Sequence, residues 1–342
     1  MDTTAEQAAW MREALAEGYK GFGTTSPNPP VGAVLVREGR IIGRGYHHEA
    51  GRPHAERMAL ADARERGESP LGADLYVTLE PCSTVGRTPA CTDAIIEAGI
   101  SRVFYACVDP NARHRGRADA LLRAAGIEVH AGLEAAACGV LLRPWAYAME
   151  HGRPWVVAKL ATTLDGSMTR RGSAWLSNEE SLRYAHDLRL RSDAILVGGH
   201  TVRTDNPRLT IRNPHLPIPP EKKQPLRVVL TGQGIPADCC LLTDEHRERT
   251  LVFSGVVRLG ELLERLYREH GVVQLMLECG PRLLRRFLEQ GMVQEWVQNI
   301  TPYVSGGCDT VAGGDFLPRE LRLVDKQVVD CGSDIILQGL LQ

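Results

Sequence analysis

The sequence predicts two consecutive α/β domains. Three observations carry this. The 342 residues exceed one ordinary domain and suit two. Apolar runs of strand length alternate with helix-length amphipathic segments along most of the chain. One such series closes near residue 135, and a second opens near residue 155, which puts the boundary at 148–152 and the domains at 1–150 and 151–342.

In the first series, Thr4 to about Lys20 reads as a helix. Trp10, Met11 and Leu15 form its apolar face, and Thr4 with Gln7 resembles a capping box. The run TSPNPPVGAVLV (25–36) is a proline-broken loop entering a strand. A second strand, IIGRGYH (41–47), pairs with it through a turn at Glu38-Gly39-Arg40. His54 opens a helix to about Arg66, and DLYVTLE (74–80) alternates as a strand. A helix spans Thr92 to Ala98, stopped by Gly99. Strand 102–108, a helix near Ala118 to Ala125 and strand 127–133 complete a sheet with helices on its faces. Residues 135–152 form a helix broken at Pro144.

The second series has strands at 155–161, 193–198, 226–231, 250–254 and 273–278, with helices between them. The Pro-rich run 212–225 is a surface loop, and the tail from Glu295 to Gln342 reads as further strands and turns.

Composition narrows the function classes. The chain is 43% apolar and 24% charged, as expected of a globular protein with a sizeable core. Its net charge is −2 and its Lys and Arg are dispersed, which argues against a polynucleotide-binding role. The acidic, amphipathic N-terminus has no signal-peptide pattern, and no run is long enough to span a membrane. These features predict a cytoplasmic protein. Nine cysteines, an odd number without repeating spacing, do not form a disulfide framework.

Two of the cysteines belong to a chemical pattern. His54 and Glu56 stand at the start of one helix, Cys82 follows a strand end and a proline, and Cys91 stands at a helix start. A hydrolytic zinc needs three protein ligands and one open position, which His54, Cys82 and Cys91 supply. Residues two apart on a helix point in different directions, so Glu56 suits proton transfer better than ligation. The helix N-terminus at Cys91 favours a thiolate there. A purely structural zinc is disfavoured, because such sites usually close with four ligands. The pattern H-x-E…P-C…C is that of zinc deaminases, here with eight residues between the cysteines.

In the second series, the run VQLMLECGPRLLRRF (273–287) ends a strand, turns at Gly280-Pro281 and begins a helix. Such an N-terminus binds phosphate through free N–H groups. The helix buries Leu283, Leu284, Phe287 and Leu288, and exposes Arg282, Arg285 and Arg286. Arg189 and Arg212 are rigid forks suited to a phosphate.

The strings PNPPVGAV (27–34), GYHHEAGRPHAE (45–56), PCSTVGRTPACTDAIIEAGI (81–100) and DPN (109–111) resemble the N-terminal half of the bifunctional riboflavin-biosynthesis deaminase/reductase family. KLATTLDG (159–166), GSAWLS (172–177), the long run 186–212 and LECGPRLLRRFLEQG (277–291) resemble its C-terminal half. The resemblance implies a cytidine-deaminase-like α/β/α domain followed by a dihydrofolate-reductase-like α/β domain, with Zn²⁺ and NADPH as cofactors. It implies that Asn28 and His47 bind the pyrimidine and that Gly86, Arg87 and Thr88 shape the pocket wall. Ser173, Arg189, Leu209, Arg212 and Glu278 would bind the ribose phosphate. Ala161, Trp175, Thr201, Asp205 and the turn from Gly280 through Pro281, Arg282, Leu283, Leu284 and Arg285 to Arg286 would line the NADPH site. The implied partner is a phosphorylated pyrimidine, and the family is often homo-oligomeric. A paralogue acting on another pyrimidine- or purine-derived metabolite, a nucleic-acid deaminase and a non-catalytic partner protein are the alternative readings.

Overall fold

The computed structural model describes residues 3–84, 89–111, 115–170, 176–213, 215, 218–306, 310–311 and 317–342. The chain divides into two compact units, Met1–His151 and Gly152–Gln342.

The first unit runs α1 (Thr3–Lys20), β1 (Gly32–Arg37), β2 (Arg40–Tyr46), α2 (Ala55–Glu65), β3 (Asp74–Leu79), α3 (Cys91–Glu97), β4 (Arg102–Cys107), α4 (Arg117–Ala124), β5 (Glu128–Ala131) and α5 (Ala135–His151). The sheet order is β2-β1-β3-β4-β5. β1 is antiparallel to both neighbours, while β3, β4 and β5 are parallel. Alternation decides the faces. Val34 and Val36 pack with Met11, Tyr76, Phe104 and Cys138 under α1 and α5. On the opposite face, β2 presents Gly43 and Gly45 to α2. A Cβ at Gly45 would lie 2.3 Å from the Ala59 nitrogen and 2.5 Å from the Ala55 oxygen, so glycine is what lets the helix lie this close to the sheet.

α5 corrects one expectation, because it continues through Pro144 to His151. A proline in a helix removes one hydrogen bond and crowds the preceding turn. Here Leu141, Leu142, Pro144, Trp145 and Ala148 are all buried on one stripe, and that packing holds the helix together.

The second unit runs β6 (Trp155–Thr162), α6 (Glu179–Arg191), β7 (Ala194–Gly198), α7 (Gly199–Asp205), β8 (Leu226–Thr231), α8 (Cys240–Thr243), β9 (Thr250–Ser254), α9 (Leu259–His270), β10 (Gln274–Leu277), α10 (Pro281–Glu289), β11 (Glu295–Ile300), β12 (Leu323–Cys331) and β13 (Asp334–Leu341). Its sheet order is β12-β13-β11-β6-β10-β7-β8-β9. The six strands from β11 to β9 are parallel, and the β12–β13 hairpin adds antiparallel. The central strands β7, β8 and β10 are buried along nearly their whole length, as strands covered on both faces must be. The core joins Val156, Leu196, Val228 and Leu275 of the sheet to Leu262, Leu263 and Leu266 of α9 and Leu284, Phe287 and Leu288 of α10. One charge is buried here. Arg227 of β8 has a 1% exposed side chain and meets both oxygens of Asp244, at 2.6 and 2.9 Å.

Candidate active sites

In the first unit, His54 is the N-cap of α2, Cys82 lies three residues past β3, and Cys91 is the first residue of α3. The start of α3 is tied to Cys82, with the Cys91 and Thr92 amides donating to the Cys82 carbonyl at 3.0 and 3.2 Å. Arg57 donates to the Ala90 carbonyl at 2.9 Å and steadies the residue before Cys91. The His54 Nδ1 lies 3.5 Å from Cys82 Sγ and 3.4 Å from Cys91 Sγ. Tetrahedral bonds of about 2.3 Å to sulfur and about 2.0 Å to nitrogen separate the two donors by about 3.5 Å. The three side chains therefore fit a zinc ion with one position left open. Among the described residues they are the only cluster of three or more metal-ligating side chains.

The electrostatics differ from the sequence expectation in one respect. Hydrogen bonding to Cys91 and His54, together with the Cys91 backbone N–H at 3.3 Å, pulls the Cys82 thiol down in pKa. Cys91 is pushed up by its hydrogen bond to Cys82 and by burial. Of the two thiols, Cys82 is the one drawn toward the thiolate. The first N–H of α3 points at the Cys82 sulfur and not at the sulfur of the residue that carries it.

Glu56, 3% exposed, lies in the first turn of α2 beside Cys91. Burial raises its pKa, with the Cys82 charge adding to the effect. That is the environment of a carboxyl group that holds and returns a proton.

Asn28 and His47 face the same cavity, a space of about 240 Å³ into which His54, Glu56 and Cys82 also open. The His47 Nδ1 lies 3.1 Å from the Pro53 carbonyl, which can only accept, so Nδ1 carries the proton. Nε2 then accepts from the Asn28 amide nitrogen at 3.0 Å. Burial lowers the His47 pKa to about 4, keeping the ring neutral. The cavity has further walls that the sequence reading did not assign: Glu80, Asp109, Asn111, Trp145 and Met149. The run DPN immediately after β4 was the available signal for two of them. Gly86, Arg87 and Thr88 lie outside the described residues.

In the second unit the candidate residues gather at the C-terminal ends of the parallel strands, where α/β sheets place ligands. Glu278 follows β10 and Arg189 lies in the last turn of α6. They form a two-point pair, Nε to Oε1 at 2.8 Å and Nη2 to Oε2 at 3.0 Å, with side chains only 12% and 16% exposed. The third arm of Arg189 donates to the Thr210 carbonyl at 3.1 Å. The Arg189 fork therefore closes on a carboxylate of the chain itself. Burial alone would raise the Glu278 pKa, but Arg189, with Lys159 and His186, holds it down at about 2. Lys159 of β6 is pushed down by burial and held up by Glu278. His186, one turn before Arg189, is lowered to about 4 by burial and by the charges of Arg189 and Arg212. Among the described residues the Arg212 guanidinium donates to the Thr210 carbonyl at 3.4 Å, leaving most of its donors for a ligand. Leu209 is buried in a left-handed conformation, φ 54°. Lys159 and His186 open two of the runs that carry the family resemblance, but the sequence reading assigned neither a role.

α10 and α7 begin at the ends of adjacent strands, β10 and β7. Gly280 caps α10 with Pro281 in its first turn, and nothing lies within 4 Å of where a Gly280 Cβ would be. The open space and the free N–H groups of this nine-residue helix fit a nucleotide phosphate. Leu284 is buried, while Leu283 is only half-buried, beside Gly198. Arg285 pairs with Glu289 at 2.7 Å and Arg286 donates to the Val257 carbonyl at 3.1 Å, whereas Arg282 is exposed. Thr201 lies in the first turn of α7, Asp205 ends it exposed, and Ala161 lies on β6 opposite Asn299. Ser173 and Trp175 lie outside the described residues.

Residues 154–337 match the RibD C-terminal domain family, and residues 4–107 match the cytidine and deoxycytidylate deaminase zinc-binding region. The chain is similar to the riboflavin biosynthesis protein RibD of Aquifex aeolicus, 39% identical over 355 residues and covering 96% of each chain. It is also similar to RibD of Escherichia coli, 34% identical over 361 residues, with 96% of this chain and 97% of that one covered. Among solved structures, Acinetobacter baumannii RibD superposes with a TM-score of 0.89 at 30% identity over 100% of both chains. The diaminohydroxyphosphoribosylaminopyrimidine deaminase/5-amino-6-(5-phosphoribosylamino)uracil reductase of Thermotoga maritima does so with 0.87 at 32% identity over 99% of both. Among the described residues no helix is long and apolar enough to cross a membrane.

Proposed function

The chain belongs to the RibD family of bifunctional riboflavin-biosynthesis deaminase/reductases, and from that membership we propose how its two sites divide the work. Residues 1–150 carry the deaminase and residues 151–342 the reductase. The substrate of the first step is 2,5-diamino-6-(5-phosphoribosylamino)pyrimidin-4(3H)-one, and its deaminated product is the substrate of the second.

His54, Cys82 and Cys91 would hold zinc, which supplies a water acidic enough to lose a proton near neutral pH. Glu56 takes that proton on its carboxylate and returns it to the departing nitrogen, so that a C–O bond replaces a C–N bond and ammonia leaves. Its raised pKa keeps the carboxyl close to the balance this shuttle needs. Neutral His47 and Asn28 offer the pyrimidine a fixed pair of polar groups, oriented by their mutual hydrogen bond.

In the second unit, NADPH bound along Ala161, Thr201, Asp205 and Gly280–Arg286 would supply the hydride that, with a proton, converts ribosyl to ribityl at C1′. Arg212 faces the substrate phosphate. The Arg189–Glu278 pair, with Leu209, forms the rigid floor on which the sugar is placed. Arg282 is the exposed fork at the start of α10 suited to the extra phosphate that distinguishes NADPH.

The observation that carries this reading is a cluster of three ligand side chains, His54, Cys82 and Cys91, at a cavity that His54, Cys82 and the buried Glu56 line, in a chain that aligns with its family over 96% of its length. The test is one assay with two readouts on zinc-loaded protein: ammonia release from the diaminopyrimidinone substrate, then NADPH oxidation on adding NADPH. Glu56→Gln should abolish the first signal and leave the second intact when the deaminated compound is supplied. Folded, zinc-loaded protein giving neither signal would overturn the reading.

A further inference from the structure

Glu80 is the last residue before the Pro81-Cys82 metal-ligand turn, and its side chain is 3% exposed. It faces no cation. Its carboxylate instead collects three backbone N–H groups from one segment: Asp109 at 3.3 Å and Gly116 at 3.1 Å on Oε2, and Ala118 at 3.3 Å on Oε1. Gly116 caps α4 and Ala118 lies in its first turn, so the carboxylate also sits at the positive end of that helix. The Glu80 amide donates to the Cys107 carbonyl at 2.8 Å, tying the same point to the end of β4.

The anchored segment carries two cavity walls. Asp109 and Asn111 face the space that holds Asn28, His47 and Glu56, and Asp109 Oδ1 accepts the Asn111 amide at 2.8 Å to shape the turn. Glu80, itself part of the cavity lining, thus ties the metal-ligand turn to the Asp109–Asn111 wall.

We infer that Glu80 is a positioning residue of the deaminase: by holding the backbone of Asp109, Gly116 and Ala118 it sets where Asp109 and Asn111 stand, and so sets substrate affinity. This rests on the deaminase reading of the cavity. Both carboxylate oxygens are used by backbone donors, so Glu80 acts through the segment and not by touching the reacting atoms.

The test is Glu80→Gln, which keeps the shape and replaces one acceptor oxygen with an NH₂ group that faces N–H donors. Amide hydrogen exchange on the full zinc-loaded chain should speed up at Asp109, Gly116 and Ala118 and stay unchanged in the second unit. KM for the diaminopyrimidinone substrate should rise roughly tenfold, the size of one lost charge-assisted hydrogen bond, with kcat changed less than about threefold. Zinc content should remain one per chain. On an Asn111→Ala background the same change should add less than about twofold, because both substitutions act through one segment. Unchanged exchange overturns the proposal. So does faster exchange with unchanged KM, a fall in kcat accompanied by zinc loss, or full additivity with Asn111→Ala. Wild-type protein that releases no ammonia would instead sink the deaminase reading, and the proposal with it.

Discussion

The Arg189–Glu278 pair gives the most quantitative prediction. Glu278→Gln preserves the shape of the side chain but removes its charge, leaving Arg189 and Lys159 facing an amide in a nearly closed site. The carboxyl group titrates at about 2 in place of 4.5. At about 1.4 kcal/mol per pH unit, that displacement corresponds to roughly 3 kcal/mol in favour of the charged form. Removing one partner of a buried ion pair typically costs about 3–5 kcal/mol, in agreement. For a unit the size of Gly152–Gln342, about 2–4 °C of melting temperature is lost per kcal/mol, so calorimetry at pH 7 should show a drop of roughly 6–12 °C. The pH dependence has a definite sign. A depressed carboxyl pKa stabilises the fold above 4.5, and that stabilisation is lost as the pH falls through about 2. The gap between wild type and Glu278→Gln should therefore be widest near neutrality and less than about half as wide at pH 3. A variant melting within about 2 °C of wild type at pH 7, or a gap as wide at pH 3 as at pH 7, would refute the assignment of this stability to the ion pair.

Two further substitutions probe how each unit supports its site. Asp244→Ala strips the counter-charge from Arg227, whose side chain is 1% exposed. It should cost about 3–5 kcal/mol in urea unfolding of the second unit, while Arg227→Met with Asp244→Leu should recover most of that; a loss below about 1 kcal/mol would contradict the burial argument. Gly45→Ala puts a methyl group 2.3 Å from the Ala59 nitrogen, so α2 must move away from the sheet and take His54 and Glu56 with it. Overpacking of this kind costs about 1–3 kcal/mol, and the purified variant should hold less than one zinc per chain by metal analysis; full zinc occupancy with wild-type stability would show that the helix has room to spare.

Much of this molecule was legible along the chain because the signals are local. Strand alternation at 74–80, the turn at Glu38-Gly39, the apolar run of β8 and the Gly-Pro start of α10 each depend on a few neighbouring residues. The candidate metal-binding cluster of His54, Cys82 and Cys91 was legible for the same reason, since His-x-Glu at a helix start and Pro-Cys after a strand are each short enough to read directly. Pro144 misled because its local rule, that proline ends a helix, was overridden by the burial of Leu141, Leu142 and Trp145.

What the tertiary structure alone decided are the partners. Arg189 reads as a free fork in a basic helix, and only the placement of β10 between β6 and β7 brings Glu278, 89 residues away, onto both its nitrogens. Lys159 joins them because β6 is the next strand over, and no spacing in the sequence encodes that neighbour. Glu80 reads as the end of a strand until the parallel pairing of β3 with β4 brings the amides of Asp109, Gly116 and Ala118 to its carboxylate. Which of the two thiols is drawn down in pKa turned on the hydrogen bonds between Cys82, Cys91 and His54, which three separate elements bring together. Residue types set what each side chain can do. The strand order set what each one meets, because contacts between distant segments follow from the packing of the whole sheet and from no stretch of it.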